Sequence, residues 1–246
     1  MKRLIAVTDV IQPGLAVNAV QVFDQLWNKH RYQIYITSVA EHDRVTEDVN
    51  GRPSMWRAFG ATPRVALTFS IPWSSSATHA LKIMFNPVSY LDEAGAYADL
   101  NAAIGNIERE TEYLKSRPPE EVHGWVFQML LTAVCCIKHE GFSEEREWRG
   151  VYSPFFGSGR PSETSALEKS LKVIQGVPQT VYQIPLDVSV SAGLEDLDMV
   201  RCLRKIIIGP TSYPWVMYEA FVEALTDLKA PDPTSMVAVT SLPLRG

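Results

Sequence analysis

Cysteine is scarce in this chain: Cys135, Cys136 and Cys202 are the only three in 246 residues. Adjacent Cys135 and Cys136 rarely bond to each other, because a disulfide needs a set Cα separation and torsion. An odd number without framework spacing excludes a disulfide-stapled fold and points to a reducing compartment. Basic runs are also missing. The formal net charge is -5 and the pI about 5.6. Non-specific nucleic-acid binding draws on several phosphate contacts, and no stretch of five or more basic residues supplies them. Long apolar runs are absent too. The longest, Trp125 to Ile137, is interrupted by Gln128 and Thr132, and a membrane-spanning helix takes about 20 apolar residues. The opening segment reaches Asp9 too soon for a signal peptide. Together these absences predict a cytoplasmic protein with no membrane partner and no strong nucleic-acid signal.

Several catalytic signatures are lacking as well. Gly157-Ser158-Gly159-Arg160 does not have the Gly-x-x-x-x-Gly-Lys spacing of a phosphate-binding loop and reads as a flexible turn. No Gly-x-Ser-x-Gly elbow surrounds any serine, so His42-Asp43 near Ser38 reads as loop rather than as part of a hydrolase triad. His139 with Cys135 and Cys136 makes only half of a zinc pattern. No metal site is expected, and the two cysteines read as buried helix thiols.

What is present is an ordinary globular composition, with 46% apolar and 21% charged residues. The length is enough to bury a core without metals or disulfides. Leu4 to Val7 reads as a short strand. Leu15 to Trp27 has helical apolar spacing. Tyr32 to Thr37, Arg64 to Ser70 and Ile83 to Tyr90 read as strands, with Pro87 pushing the last to an edge or a bulge. Met55 to Phe59 reads as a helical turn. A long helix is predicted from Asp92, its N-cap, to Lys115, and Pro118-Pro119 stops it. A second helix, Glu120 to Ile137, is apolar on most sides and is expected in the core. Strands are expected at Glu144 to Tyr152, Thr180 to Leu186, Lys205 to Ile208 and Met236 to Val239. A loop is expected at Tyr152 to Thr164, and a helix from Tyr213 to Leu228. Helices and strands do not alternate regularly. The fold class is therefore α+β: a mixed or mostly antiparallel sheet core flanked by several helices, in a single domain.

Four segments carry a family resemblance: Ser54 to Gly60 following the strand that ends at Thr37-Ser38, then Lys138 to Arg149, Ile206 to Pro210, and Val239 to Arg245. The second is the most specific, a Lys-x-x-x-Phe-x-x-Glu-x-Glu-Trp-Arg run spanning Lys138, Phe142, Glu145, Glu147, Trp148 and Arg149. In order and spacing the chain resembles DUF2971, a bacterial family of undetermined function, over residues 32–245. Residues 1–31 have no counterpart in that pattern and are expected to form an atypical segment, a strand plus a helix, packed on the 32–246 domain.

If residues 145–149 form a strand, Glu145, Glu147 and Arg149 share one face and Arg146 and Trp148 the other. Two carboxylates on one face repel unless a cation relieves them, and Arg149, Arg57 or Arg64 are placed in sequence to do so. A Glu-x-Glu strand beside a Ser-terminated strand resembles the ADP-ribosyltransferase architecture. That resemblance implies NAD or a similar nucleotide as substrate, with no bound cofactor. Under it, Glu147 and Glu145 are catalytic. Glu147 holds the nicotinamide ribose and stabilises the developing positive charge, while Glu145 positions or deprotonates the acceptor. Ser38, Trp56, Arg57, Trp148 and Arg149 form the nucleotide-binding set, with Arg3 and Arg31 as candidate phosphate grips. A phage-defence or toxin setting suits such an enzyme. The alternative is a non-catalytic binding or effector-regulating module with a protein partner. There the Glu-Arg strand stabilises the fold or faces the partner. An enzyme should gather these residues in one concave site with raised carboxylate pKa values; a module should leave them dispersed or paired.

Overall fold

The computed structural model describes residues 2–59, 64–70, 81–155, 167–186 and 197–243. The chain opens with two helices, α1 (Lys2–Ile11) and α2 (Leu15–His30). The strand expected at Leu4 to Val7 is part of α1. Leu4 and Thr8, one helical turn apart, are both buried, and Leu4 packs with Ala16 and Ile104. That packing overrides the β-branched local composition. Gly14, at φ +78°, takes the left-handed conformation that joins the two helices.

A 3-10 turn over Arg31–Gln33 delays β1 to Tyr35–Ala40. There follow α3 (Pro53–Ala58), β2 (Val65–Phe69), β3 (Met84–Pro87) and β4 (Ser89–Tyr90). Asp92 caps α4 (Glu93–Arg109), accepting from the Gly95 N–H at 2.7 Å. The long helix expected from Asp92 to Lys115 breaks at Glu110, which leaves helical geometry, and resumes as α5 (Thr111–Lys115). Next comes α6 (Pro119–Cys136), then β5 (Ile137–Lys138). Helix α6 buries one face through Val122, Val126, Leu131, Cys135 and Cys136. Trp125 and Val134 are exposed, so the helix is half-buried rather than enclosed.

A 3-10 segment, Glu140–Glu145, precedes β6 (Glu147–Tyr152). The chain continues through β7 (Glu168–Ile174), β8 (Val177–Gln183), α7 (Met199–Cys202) and β9 (Leu203–Ile208). It closes with α8 (Pro214–Asp227), α9 (Pro233–Met236) and β10 (Val237–Val239). The fold is α+β, with small, mostly antiparallel sheets.

These elements group into two compact units. The first comprises Met1–Ala40 and Ile83–Glu163. Its sheet has the order β1-β6-β3, both pairs antiparallel, with β3 and its Pro87 on an edge. Strands β4 and β5 pair in parallel beside it. Phe23 of α2 and Leu131, Cys135 and Cys136 of α6 form a core with Val151 of β6. Leu15 and Ala19 meet Val122 and Val126 in a second cluster.

The second unit comprises Glu41–Lys82 and Thr164–Gly246. Here β9 is central, with β2 antiparallel on one side and β10 parallel on the other. Ile206, Ile208, Leu225, Met236 and Val237 form its core. Strands β7 and β8 make a separate hairpin whose two-residue turn, Gln175-Gly176, has φ of +52° and +80°. That is the handedness a tight hairpin requires.

Candidate functional site

The family-like motif builds a charged cluster in the first unit. Arg146 adopts a left-handed conformation (φ +45°, ψ +53°), which turns the chain from the 3-10 segment into β6. Glu145 therefore lies on the 3-10 segment and not on the strand, so Glu145, Glu147 and Arg149 do not form one strand face. Only Glu147 and Arg149, two apart on β6, share a face. They meet through Arg149 Nε to Glu147 Oε1 at 3.0 Å and Nη2 to Oε2 at 3.3 Å.

Glu145 reaches the same cluster by another route. Lys138 Nζ lies 2.5 Å from Glu145 Oε2 and 3.5 Å from Glu147 Oε2. The Lys138 ammonium also sits 4.8 Å from the centre of the Phe142 ring. Arg149 donates through Nη1 to the Cys135 carbonyl at the end of α6. The Glu147 N–H donates to the Tyr90 hydroxyl at 2.8 Å. Ser38, paired with Arg149 in the β1–β6 register, donates its hydroxyl to the Glu147 carboxylate.

These contacts set the charges. Burial pushes the Glu147 pKa up, but hydrogen bonds from Arg149 and Ser38 and the positive charges of Arg149 and Lys138 outweigh it. The carboxyl is held below its ordinary value. Burial lowers the Arg149 pKa, and its bond to Glu147 more than restores it. Glu145 raises that of Lys138. Two anions and two cations thus neutralise one another, and Glu147 is only 8% exposed.

Trp148 points to the other face of β6, where it stacks on Phe85 of β3 at 5.4 Å between ring centres. Trp56 and Arg57 belong to the second unit. Arg57 is exposed on α3. Trp56 is buried and donates from its indole to the Asn50 carbonyl at 2.7 Å. Its ring lies against Gly51 and Gly209, where an added Cβ would sit 2.7 and 2.8 Å from it. The Arg64 Nε is buried with no partner among the described residues.

The other sequence candidates have ordinary partners. Arg3 pairs with Glu108 at 2.9 Å, and Arg31 lies over Tyr32. His42 contacts Asp48 at 3.2 Å and Glu47 at 3.7 Å, while Asp43 caps Val45 and Thr46. His139 accepts from the Gly141 N–H at 3.1 Å. Cys135 is buried and its thiol pKa is pushed up to about 11. Among the described residues, no group of three or more His, Cys, Asp or Glu is placed to hold a metal. Gly157 to Arg160 fall outside the described residues. No single described helix is long and apolar enough to cross a membrane.

Lys138 and Tyr90 are the cluster members to which the sequence assigned no role. Lys138 stands at the head of the motif, and its spacing from Phe142 and Glu145 was the available signal. Tyr90 is brought in by β4 alone, and nothing local marks it.

No curated protein and no solved structure matches the chain. The outer resembling segments, Ile206 to Pro210 and Val239 to Arg245, lie beyond the stretch that a family model matches. That stretch, residues 55–150, takes in the whole Lys138–Arg149 cluster and matches the family described as Protein of unknown function (DUF2971).

Proposed function

We propose that this protein is a non-catalytic binding or effector-regulating module with a protein partner, in which the β6 charge cluster holds the fold. The observation that carries this reading is the state of Glu147: buried, ionised and matched by Arg149 and Lys138. A carboxylate serving as general acid or base near neutral pH gains from a pKa raised toward the working pH. Glu147 is shifted the other way. The motif residues also satisfy one another, Lys138 with Phe142 and Glu145, and Glu147 with Arg149. Fully paired polar networks of this kind rigidify and specify a core.

A second reading keeps one observation in its favour. The Ser38 hydroxyl bonds Glu147 across neighbouring strands, as an ADP-ribosyltransferase-like site would require. On that reading the substrate is NAD or a similar nucleotide, consumed by a transferase or glycohydrolase in a phage-defence or toxin setting. Arg149 already occupies both Glu147 oxygens, which weighs against a ribose there.

The deciding experiment is NAD turnover by the full chain beside Glu147→Ala, with folding of both checked by circular dichroism. The module reading expects no nicotinamide release from either protein. Release by the parent and not by the variant would overturn it in favour of the enzyme.

A further inference from the structure

The helices of the first unit leave a pocket of about 150 Å³ between α1, α2, α4, α5 and α6, lined by Thr8, Ile107, Leu114, Val126 and Met129 among others, with Trp125 at its exposed side. Thr8 is its polar member. It is wholly buried, and its hydroxyl is already bonded within α1, to the Leu4 carbonyl at 2.8 Å and the Ile5 carbonyl at 3.1 Å. The remaining lining side chains are apolar. A water molecule entering the pocket would find almost no hydrogen-bond partner, and water needs two to four. Trp125 stacks nearly parallel on Tyr113, 6.5 Å between ring centres and 6° between planes. The exposed side of the pocket is therefore aromatic as well.

We propose that this pocket binds one small hydrocarbon group, the size of a single aromatic ring. The volume sets the size, since an apolar cavity near 150 Å³ accommodates a benzene-sized molecule. The lining sets the chemistry, because any polar group carried inside would lose its hydration and gain no partner. The proposal goes beyond the reading of the charge cluster, which shares no residue with this pocket, so either can fail alone.

The test is a titration of the full chain with toluene, followed in methyl-selective proton–carbon spectra. Saturable shifts confined to the methyls that line the pocket, those of Ile11, Leu15, Leu114, Val126 and Met129 among them, are expected. The methyls of Ile206, Ile208 and Val237 in the second unit serve as an internal control. Thermal unfolding should move to higher temperature in parallel, as it does for any ligand of the native state. Met129→Phe, which sets a bulkier and rigid ring among the lining side chains, should weaken both effects. Unchanged methyl shifts up to the solubility of toluene, non-saturating shifts spread over both units, or saturation that Met129→Phe leaves intact would each overturn the proposal. The parent titration needs no variant, so a misfolded Met129→Phe does not shield it.

Discussion

Asn50 and Ser241 are 191 positions apart, yet the Asn50 Oδ1 accepts from the Ser241 N–H at 2.8 Å and from its hydroxyl at 3.0 Å. The same oxygen accepts from the Thr240 hydroxyl at 3.1 Å, while the Asn50 main-chain carbonyl accepts from Trp56. One side chain thus ties the loop before α3 to the strand end after β10. Asn50→Ala should lower stability by about 1–3 kcal/mol, the cost of leaving such donors unmet. Asn50→Asp keeps the acceptor and should cost less. Urea midpoints at neutral pH would rank the two, and an aspartate as damaging as alanine would refute the acceptor role.

Gly209 is expected to tolerate no side chain. A Cβ there would lie 2.8 Å from the Trp56 ring and 3.2 Å from the Arg64 carbonyl, and overpacking of this kind costs roughly 1–3 kcal/mol. Gly209→Ala should therefore unfold at lower denaturant than the parent, with a changed Trp56 environment in near-ultraviolet circular dichroism. Gly124, with nothing within 4 Å of its would-be Cβ, is the control: Gly124→Ala in the exposed face of α6 should not destabilise.

Removing the charge of Glu147 leaves Arg149 half-buried and unmatched. Breaking a buried ion pair in this way costs about 3 kcal/mol, so Glu147→Gln should show that loss at pH 7. The pH dependence has a definite sign. The folded pKa of Glu147 lies below its ordinary value near 4.5. Its contribution is complete above that unfolded value and fades as the pH falls through the lower folded one. Parent and variant should accordingly converge in stability below pH 4.5. A gap that stayed constant through that range would show that Glu147 acts by packing rather than charge.

The three cysteines are all buried, and burial raises the Cys135 thiol to about 11. At pH 8 that leaves roughly one thiol in a thousand as the reactive thiolate. Native protein should react negligibly with a disulfide reagent over minutes, and all three thiols should be titrated once guanidinium unfolds the chain. A fast native thiol would contradict the buried placement of the cysteines that end α6 and α7.

Much of this fold was legible where local signals and packing agree. The Asp92 cap, the apolar stripes of α2 and α8, and the edge position of β3, one of the two places that Pro87 allows, all follow from nearby residues. Leu4 to Val7 misled because its composition favours a strand, whereas the contacts of Leu4 with Ala16 and Ile104 favour a helix. In the cluster, the pairing of Glu147 with Arg149 was readable from strand alternation. The placement of Glu145 was not, because the turn at Arg146 is a left-handed conformation in a residue type that seldom adopts it. The β7–β8 hairpin has only Gly176 to announce its turn.

The interleaving of the two units bears on where this chain can be cut. Each unit is assembled from two stretches of sequence, and the stretches of the two alternate along the chain. The segment 55–150 is continuous in sequence but corresponds to neither. Excised, it would carry β6 only as far as Gly150 and without β1, its neighbour along Tyr35–Ala40, and β2 without β9. Both strands would present raw edges to solvent and to other copies. The recognisable signature is thus no free-standing module that could be transplanted. During synthesis, too, β2 must wait for a partner more than half the chain away, a long interval in which an unpaired strand needs shelter.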